Sequence, residues 1–349
     1  GFSQPQARPE GSLRASGLLQ LKADQVYAAT GRLFEVTSET GIAILPQEPG
    51  DKLNGTPYEA AARLRFRAPV IEQGGIVRSP LGAIEFEAIG ADGRVTLLPG
   101  SISSVNADGH VIPYGNLSNG DSWTDPLVKV GAVELRVLPE KTVSFKGASV
   151  DLKPGAVIDI AGGGDLYAHE FSPGIGGNND WLTGYRNRDY DWVSASGEIF
   201  AILPDFQGDI APVGLGDGSG LGVGSKIYLS GGSGLAAGYY TLLPAEYALL
   251  PGAYRVTAGH HYAGDFSDMP LGAVARNIDG STIQAGYRYV AGQSVRDPRN
   301  SGFLVMNGAT LRMRSEYAEA NANDFFESAA FLKKSLRKNL PIGEIPRLP

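Results

Sequence analysis

The sequence predicts an all-β protein, and three observations lead to that prediction. Short segments in which apolar and polar residues alternate dominate the chain, such as LFEVT at 33–37 and AIEFEA at 83–88. Glycine supplies 48 of the 349 residues, about twice its usual share. Aliphatic runs repeatedly end at proline, as in AILP at 43–46 and again at 201–204. Short strands separated by glycine and proline turns account for all three observations.

The alternating segments give the predicted strands in chain order. They lie at 13–23, 33–37, 64–71, 83–88, 143–160, 283–290 and 303–314. Pairs of Gly, Asn and Asp bound them, as at Gly74-Gly75 and Asn307-Gly308. The intervals are too short for crossover helices, so a doubly wound α/β fold is not expected.

Residues 143–160 indicate how the strands are arranged. Tight corners at Lys146-Gly147 and Lys153-Pro154-Gly155 divide this segment into three short strands. That rhythm is typical of one coil of a parallel β-helix, which buries its apolar face only against a stacked neighbour. An antiparallel sandwich or barrel gives similar alternation, but the corners lack hairpin spacing. The predicted inward side chains are Val143, Phe145, Val150, Leu152, Val157 or Ile158, and Ile160.

The chain is expected to have four parts. Residues 1–164 form β-helix coils, 165–260 a β-rich lateral excursion or small subdomain, 261–314 returning coils, and 315–349 a helix and tail. The helix is predicted over 323–338, with Asn323 as its cap and an apolar face made of Phe325, Ala329, Leu332 and Leu336.

A doubled phrase, TLLPAEYALLPGAYRV at 241–256, needs its own interpretation. Pro244 and Pro251 exclude a helical heptad, because each lacks an amide hydrogen and clashes with the preceding turn. The sequence instead predicts two consecutive strand ends, each closed by a proline.

Composition and charge exclude several classes of function. The net charge is −7, so no nucleic-acid partner is expected. No stretch approaches the roughly 18 apolar residues of a membrane span, so no direct membrane insertion is predicted. The chain has no cysteine, and its four histidines, including the pair His260-His261, lack a metal-binding spacing. We therefore expect no metal and no cofactor.

Several segments resemble the filamentous haemagglutinin family of large bacterial exoproteins. The two most distinctive are GASVDLKPGAVIDIAGGGDLYAHEFSPGIGG at 147–177 and YLSGGSGLAAGYYTLLPAEYALLPGAYRV at 228–256. IVRSPLGAIEFEA at 76–88 and MRSEYAEANANDFF at 313–326 are also similar. The resemblance implies a right-handed parallel β-helix (solenoid) shaft in an adhesin exported by two-partner secretion. The lateral excursion and the C-terminal helix, predicted above from the residue pattern, would be carried on that shaft.

The same resemblance implies partners and a location. The parent protein would pass through an outer-membrane transporter of a Gram-negative bacterium and act as a secreted or cell-surface adhesin. Its partner would be a host or bacterial receptor or a glycan. The chain contains neither Asn-Pro, part of the family's secretion signature, nor Arg-Gly-Asp. It is therefore expected to be an internal shaft segment that presents loops for contact, without catalysis.

A second class of function is open, because parallel β-helices also include polysaccharide lyases and glycoside hydrolases. These enzymes need two carboxylates, or a carboxylate with a basic partner, and the candidates are Asp165, His169, Glu170, Asp180, Asp189 and Asp191. A non-catalytic sugar-binding module needs exposed aromatic rings instead. The predicted contact patch is Trp181, Tyr185, Arg186, Arg188, Tyr190 and Trp192.

Overall fold

The structure is a computed structural model. It describes residues 10–47, 55–125, 134–175, 177–187, 189, 191–195, 198–206, 208, 210, 221–258, 268–290, 295–296, 300–328 and 331. The chain divides into two compact units, one of residues 1–169 and 319–349 and the other of residues 170–318. Strands dominate the described part of both units, which confirms the all-β class.

Short strands follow one another closely in the first unit. In chain order they are β1 (Glu10–Ala15), β2 (Leu19–Lys22), β3 (Leu33–Ser38), β4 (Ile42–Leu45), β5 (Arg63–Ala68), β6 (Val70–Gln73), β7 (Ile76–Arg78), β8 (Ala83–Ala88), β9 (Arg94–Leu97), β10 (Ile102–Ser104), β11 (Val111–Ser118), β12 (Ser122–Thr124), β13 (Thr142–Lys146), β14 (Ser149–Leu152), β15 (Val157–Asp159) and β16 (Asp165–Ser172).

Three parallel sheets receive these strands in rotation. The first sheet has the order β1-β3-β5-β8-β13, the second β2-β4-β6-β9-β14 and the third β7-β10-β15. We call one passage through the three sheets a round; β8, β9 and β10 form one, and β13, β14 and β15 the next. The connection from β5 to β8 runs through the other two sheets, whereas those from β1 to β3 and from β3 to β5 contain a strand of the second sheet only. These connections take the place of the crossover helix that parallel strands otherwise require.

The strand register places similar apolar residues next to one another on the inner face of the first sheet. Val36, Phe66, Phe86 and Phe145 are paired in sequence across β3, β5, β8 and β13. The rings of Phe66 and Phe86 are stacked with centroids 5.1 Å apart, and those of Phe86 and Phe145 with centroids 5.3 Å apart. Phe66 and Phe86 are fully buried in the core of this unit. Burial of each such ring stabilises the fold by about 1.5–3 kcal/mol.

Charges alternate in the same way on the outer face. Glu35, Arg65 and Glu85 occupy paired positions on β3, β5 and β8. The Arg65 guanidinium lies 3.5 Å from Glu35 and 2.8 Å from Glu85. Its hydrogen bond to Glu85 raises the pKa of Arg65 despite partial burial. One arginine therefore neutralises two carboxylates that would otherwise repel along the stack.

A fourth sheet in the first unit contains β11 and β12. Its order is β12-β11-β16-β28, where β28 is Glu316–Asn321, and the short helix α2 (Ala322–Glu327) follows β28. Fully buried Trp123 packs against Phe325 and Phe326 of α2, with centroids 5.4 and 5.6 Å away, and donates from Nε1 to the Tyr114 carbonyl at 2.8 Å.

The predicted C-terminal helix is partly reproduced by α2. Its N-cap is Asn321 rather than Asn323, so that assignment was wrong by two positions. The Asn323 amide instead donates to the Asp165 carboxylate at 3.3 Å. Ser328 is extended and ends α2. The predicted positions Ala329, Leu332 and Leu336 lie outside the described residues.

A large antiparallel sheet forms most of the second unit. Its sheet order is β21-β20-β25-β27-β23-β19-β22, and β24 and β26 also pair with β25. The strands of the unit are β17 (Gly184–Arg186), β18 (Trp192–Ser194), β19 (Ile199–Ile202), β20 (Lys226–Leu229), β21 (Gly238–Thr241), β22 (Leu243–Pro244), β23 (Tyr254–Ala258), β24 (Val274–Arg276), β25 (Thr282–Val290), β26 (Val295–Arg296) and β27 (Ser301–Asn307). The unit also contains a 3-10 helix, Ala245–Leu249, and helix α1, Gly308–Arg314.

The expectation that residues 261–314 return to parallel coils was wrong for the part that the structure describes. Strands β25 and β27 pair antiparallel with each other, and with β20 and β23 respectively. Alternation marks a strand with one buried face and does not indicate the direction of its neighbour. Asn307-Gly308, which was expected to be a turn, begins α1, because the Asn307 side chain accepts from the Ala309 amide at 2.8 Å.

The doubled phrase also differs from its prediction. Pro244 ends β22 and precedes the 3-10 helix Ala245–Leu249, so the second aliphatic run is helical. A proline is tolerated directly before a helix because the first amides have no helical partner. Leu250 then turns extended, and its amide donates to the Tyr247 carbonyl.

Candidate contact surface

The aromatic segment that was predicted to be a contact patch covers the second unit's sheet. Trp181 and Tyr185 are buried, with 5% and 2% exposed surface. Strands β17 and β18 pair as a hairpin in which Arg186 lies opposite Trp192, and both are half-buried. The Trp181 and Trp192 rings meet edge to face at 5.5 Å. The predicted Arg188 and Tyr190 lie outside the described residues.

Arg255 on β23 holds this segment in place. Its Nε donates to the Trp181 carbonyl at 2.6 Å, and its terminal nitrogen Nη2 donates to the Gly184 carbonyl at 2.7 Å. The guanidinium carbon lies 5.9 Å from the centroid of the Trp181 ring. The residue is fully buried, and burial lowers the pKa of Arg255 to about 10. Trp181 and Tyr185 therefore stabilise the unit, and their faces are not open to a glycan.

The candidate catalytic carboxylates have different structural roles. Asp180 accepts the Tyr317 hydroxyl at 2.8 Å and the Leu182 amide at 3.0 Å. Burial, with Asp180 next in importance, raises the pKa of Tyr317. Asp189 and Asp191 are exposed, and their amides donate to the Asn187 side chain. Asp180 therefore orders the loop that carries it.

The remaining candidates of that set lie on β16, at the boundary of the two units. Asp165 and His169 belong to the first unit and Glu170 to the second. Burial raises the pKa of Asp165, whose Oδ1 accepts from the amides of Leu166 and Asn323. Among the residues that the structure describes, no three His, Asp or Glu side chains are close enough to hold a metal ion.

A cluster that the sequence did not single out lies near one edge of the second unit's sheet. We call it the tyrosine surface; it consists of Tyr228, Tyr239, Tyr287 and Tyr289. Tyr228 lies between Tyr239 on one neighbouring strand and Tyr287 on the other. Tyr289 follows Tyr287 by two residues and therefore lies on the same face.

The rings of the tyrosine surface pack on one another. Tyr228 stacks on Tyr287 with centroids 4.9 Å apart, and Tyr239 meets Tyr228 and Tyr289 edge to face at 5.3 and 5.7 Å. The hydroxyls of Tyr239 and Tyr287 are 3.0 Å apart. That hydrogen bond is the main factor that raises the pKa of Tyr239. The Tyr239 hydroxyl is therefore protonated near neutral pH and can both donate and accept.

The pleat of strands β20 and β21 explains why the face that carries the tyrosine surface is partly exposed to solvent. Ile227, Leu229 and Tyr240 point to the other face, where they are buried in a core of the unit. Tyr239 keeps 48% of its surface exposed, and Tyr228 and Tyr289 are half-buried. Their flat rings with polar tips suit stacking against a sugar ring or an apolar side chain. The sequence carried one signal of this cluster, the alternation of Tyr287 and Tyr289 in GYRYV.

No protein-family model, curated protein or solved structure matches this chain. The filamentous haemagglutinin resemblance is therefore a prediction that rests on the quoted segments alone. Within the described ranges no helix is both long and apolar enough to cross a membrane.

Proposed function

We propose that this chain is a shaft segment of a secreted or cell-surface bacterial adhesin of the filamentous haemagglutinin type, and that it presents a contact surface without catalysis. The passage of β5 to β7, β8 to β10 and β13 to β15 in turn through the same three parallel sheets carries the proposal. In this proposal the rounds are coils of a right-handed parallel β-helix. The parent protein would reach the surface through an outer-membrane two-partner transporter.

The side-chain columns support a role in stiffness. Each inner position on β8 packs against the equivalent position on β5 and β13, as in the stack of Phe66, Phe86 and Phe145. Outside, Arg65 pairs with carboxylates on both neighbouring strands. The rounds β5 to β7, β8 to β10 and β13 to β15 resist bending because each is bonded to the next along three sheets. This is the property that a shaft needs.

If the first unit is a β-helix, a whole round can be deleted and the shortened chain should still fold. Deletion of residues 63–82 removes β5, β6 and β7 and leaves Ala62 joined to Ala83, so that Val36 faces Phe86 in the old register. The deletion is combined with Glu35→Gln, because Glu35 would otherwise face Glu85 without Arg65 between them. We expect this variant to unfold cooperatively in urea, followed by circular dichroism. A control deletion of 69–79 removes part of a round and should abolish the transition. Equal loss of folding in both variants would contradict a β-helix.

The tyrosine surface is the proposed contact site, because the exposed ring of Tyr239 lies beside the half-buried rings of Tyr228 and Tyr289, with Tyr287 buried beneath them. Beads coated with the chain should retain more cells than beads coated with an inert protein. The double variant Tyr239→Ala, Tyr289→Ala should lower retention roughly tenfold, as expected when central aromatic contacts are lost. Ile278→Ala removes an 86% exposed aliphatic residue from the same unit and is the matched control. Retention no better than the inert protein would leave only a scaffold role.

Non-catalytic polysaccharide binding is the second candidate, favoured by the packing of four tyrosine rings and by the hydrogen bond between the hydroxyls of Tyr239 and Tyr287. A glycan array probed with wild type and Tyr239→Ala distinguishes it from protein contact. Binding of a sugar by the wild type and its loss in the variant supports this candidate. Turnover of acidic polymers, with release of unsaturated or reducing ends, would instead indicate the lyase or glycoside hydrolase alternative.

A further inference from the structure

The last round of the first unit leaves a row of aliphatic side chains uncovered. Strands β13, β14 and β15 are each the final strand in the order of their sheet. The exposed residues, which we call the aliphatic end face, are Val150 at 41%, Leu152 at 52%, Val157 at 46%, Ile158 at 37% and Ile160 at 67%. These residues were predicted to be buried, and that prediction was wrong.

The register explains both the prediction and its failure. Val150 is paired with Val95 and Leu152 with Leu97, and both partners on β9 are fully buried. Val157 and Ile158 are similarly paired with Ile102 and Ser103 of β10. Val157, the neighbour of Ile158 on β15, points to the opposite face, and Ile160 follows the end of β15. Val150, Leu152 and Ile158 therefore occupy inner positions of the columns. They are exposed because no described strand pairs on the far side of β14 and β15.

A partner that covers this end face must form hydrogen bonds with the edges of three strands at the same time. No described strand pairs with the outer side of β13, β14 or β15, so each of these edges presents N–H and C=O groups to a further strand. The inner residues Val150, Leu152 and Ile158 lie along two of these edges. A single added strand would pair with one edge only. Another round of the same cross-section, with aliphatic inner positions of its own, matches all three edges together.

We propose that the aliphatic end face binds the same face of a second copy of this chain, giving a two-fold, end-to-end dimer. A face whose buried neighbours are aliphatic is complementary to itself. A two-fold axis through the middle of the first sheet sets β13 antiparallel beside the copy's β13. It also sets β14 beside the copy's β15. Such a contact is closed and uses one face twice.

The charges disfavour the head-to-tail alternative. The other end of the sheets has an apolar groove of about 360 Å3, lined by Leu13, Leu21 and Phe34 among others. Stacking that end on β13 would continue the outer column that runs through Arg14, Thr37, Arg67, Glu87 and Lys146. Arg14 of one copy would then lie beside Lys146 of the next. Like charges directly opposite on paired strands are destabilising.

The mass of the chain in solution tests the proposal. Sedimentation of the full chain over a range of concentrations should show a monomer that converts to a dimer and goes no further. Leu152→Glu places a charge in the end face and should weaken the dimer at least about a hundredfold. Ile278→Glu, at an equally apolar but more exposed site in the second unit, should leave it unchanged. Ile160→Glu repeats the test if Leu152→Glu does not fold.

Cysteine cross-linking reports the symmetry, because the natural chain has no cysteine. Ser144 on β13 and Ser12 on β1 are the two ends of one outer column. Under mild oxidation Ser144→Cys alone should form a disulfide-linked dimer, and Ser12→Cys alone should stay monomeric. A mixed disulfide formed only when both variants are combined would overturn the two-fold arrangement. A wild type that stays monomeric at all concentrations would overturn the proposal itself.

Discussion

Arg255 contacts Trp181 in two ways, through the backbone carbonyl at 2.6 Å and through the indole ring 5.9 Å from the guanidinium carbon. The strand residue thereby fixes the loop residue that covers it. Because of this contact, the aromatic segment that was predicted to bind a ligand is part of the packing of the second unit. Loss of the buried Arg255 guanidinium should therefore change the free energy of unfolding by an amount that is easy to measure.

Arg255→Met is expected to destabilise the second unit by about 2–4 kcal/mol. The variant keeps most of the side-chain length but leaves the carbonyls of Trp181 and Gly184 without their charged donor, which costs more than a neutral hydrogen bond. Urea unfolding followed by tryptophan fluorescence gives the change. Arg276→Met, at an exposed position on β24, should cost less than about 0.5 kcal/mol. Similar losses in both variants would contradict the structural role of Arg255.

The phenylalanine column predicts an asymmetry between two chemically identical substitutions. Phe86→Ala leaves a cavity between Phe66 and Phe145 and should cost about 3–5 kcal/mol. Phe145 lies in the last round and is only half-buried, so Phe145→Ala should cost clearly less. Denaturant unfolding of the two variants under identical conditions makes the comparison. Equal costs would indicate that the last round is packed as tightly as its neighbour.

Asp165 should make the first unit less stable as the pH rises. Its pKa is raised by burial, so the folded state binds a proton more readily than the unfolded chain. Stability linked to this group is therefore present below its ordinary pKa of 3.8 and lost as the pH passes the folded value. Asp165→Asn keeps an acceptor for the amides of Leu166 and Asn323, so its Tm advantage should grow from pH 4 to neutrality.

The control for that experiment is Asp92→Asn, which changes an exposed carboxylate of the same unit. Its Tm difference from the wild type should stay flat with pH. A flat difference for Asp165→Asn as well would show that burial does not disfavour the Asp165 charge.

Gly115 is a position where only glycine fits. Its φ is +92°, and an added Cβ would overlap the Thr124 carbonyl oxygen and lie 2.7 Å from Trp123 Nε1. Gly115→Ala should therefore displace Trp123 and cost more than about 3 kcal/mol. Gly100 also has a positive φ, +79°, but open space around it, so Gly100→Ala should cost only about 1 kcal/mol. Thermal unfolding of the pair separates steric overlap from backbone strain.

Local patterns predicted the strands and corners of the first unit well. Segments 33–37, 83–88 and 143–160 became β3, β8 and the round β13 to β15, with turns at Gly147 and Gly155. The sequence could not predict strand direction in 283–307, since parallel and antiparallel neighbours both produce period-two alternation. Nor could it distinguish the strand before Pro244 from the 3-10 helix after it, because both are short aliphatic runs.

The contact surface was the least predictable part. Trp181 and Tyr185 were candidates because a dense aromatic segment is typical of a ligand platform, yet β23 places Arg255 beneath it. The tyrosine surface joins residues from three strands separated by up to 61 positions of sequence, from Tyr228 to Tyr289, so it exists only once β20, β21 and β25 pair. Within the doublet Tyr239-Tyr240, the pleat alone decides that Tyr239 faces outward and Tyr240 inward.

Strands β16 and β28 carry the chain out of the first unit and back into it, and they are neighbours in one sheet. The whole second unit is therefore inserted in the chain between two strands that are neighbours in one sheet. A segment anchored in this way can be lengthened, trimmed or exchanged without shifting the register of the rounds that precede it. Substitutions that change the binding partner of this chain can thus accumulate in residues 170–318. The paired phenylalanine and charged residues limit substitution in the first unit.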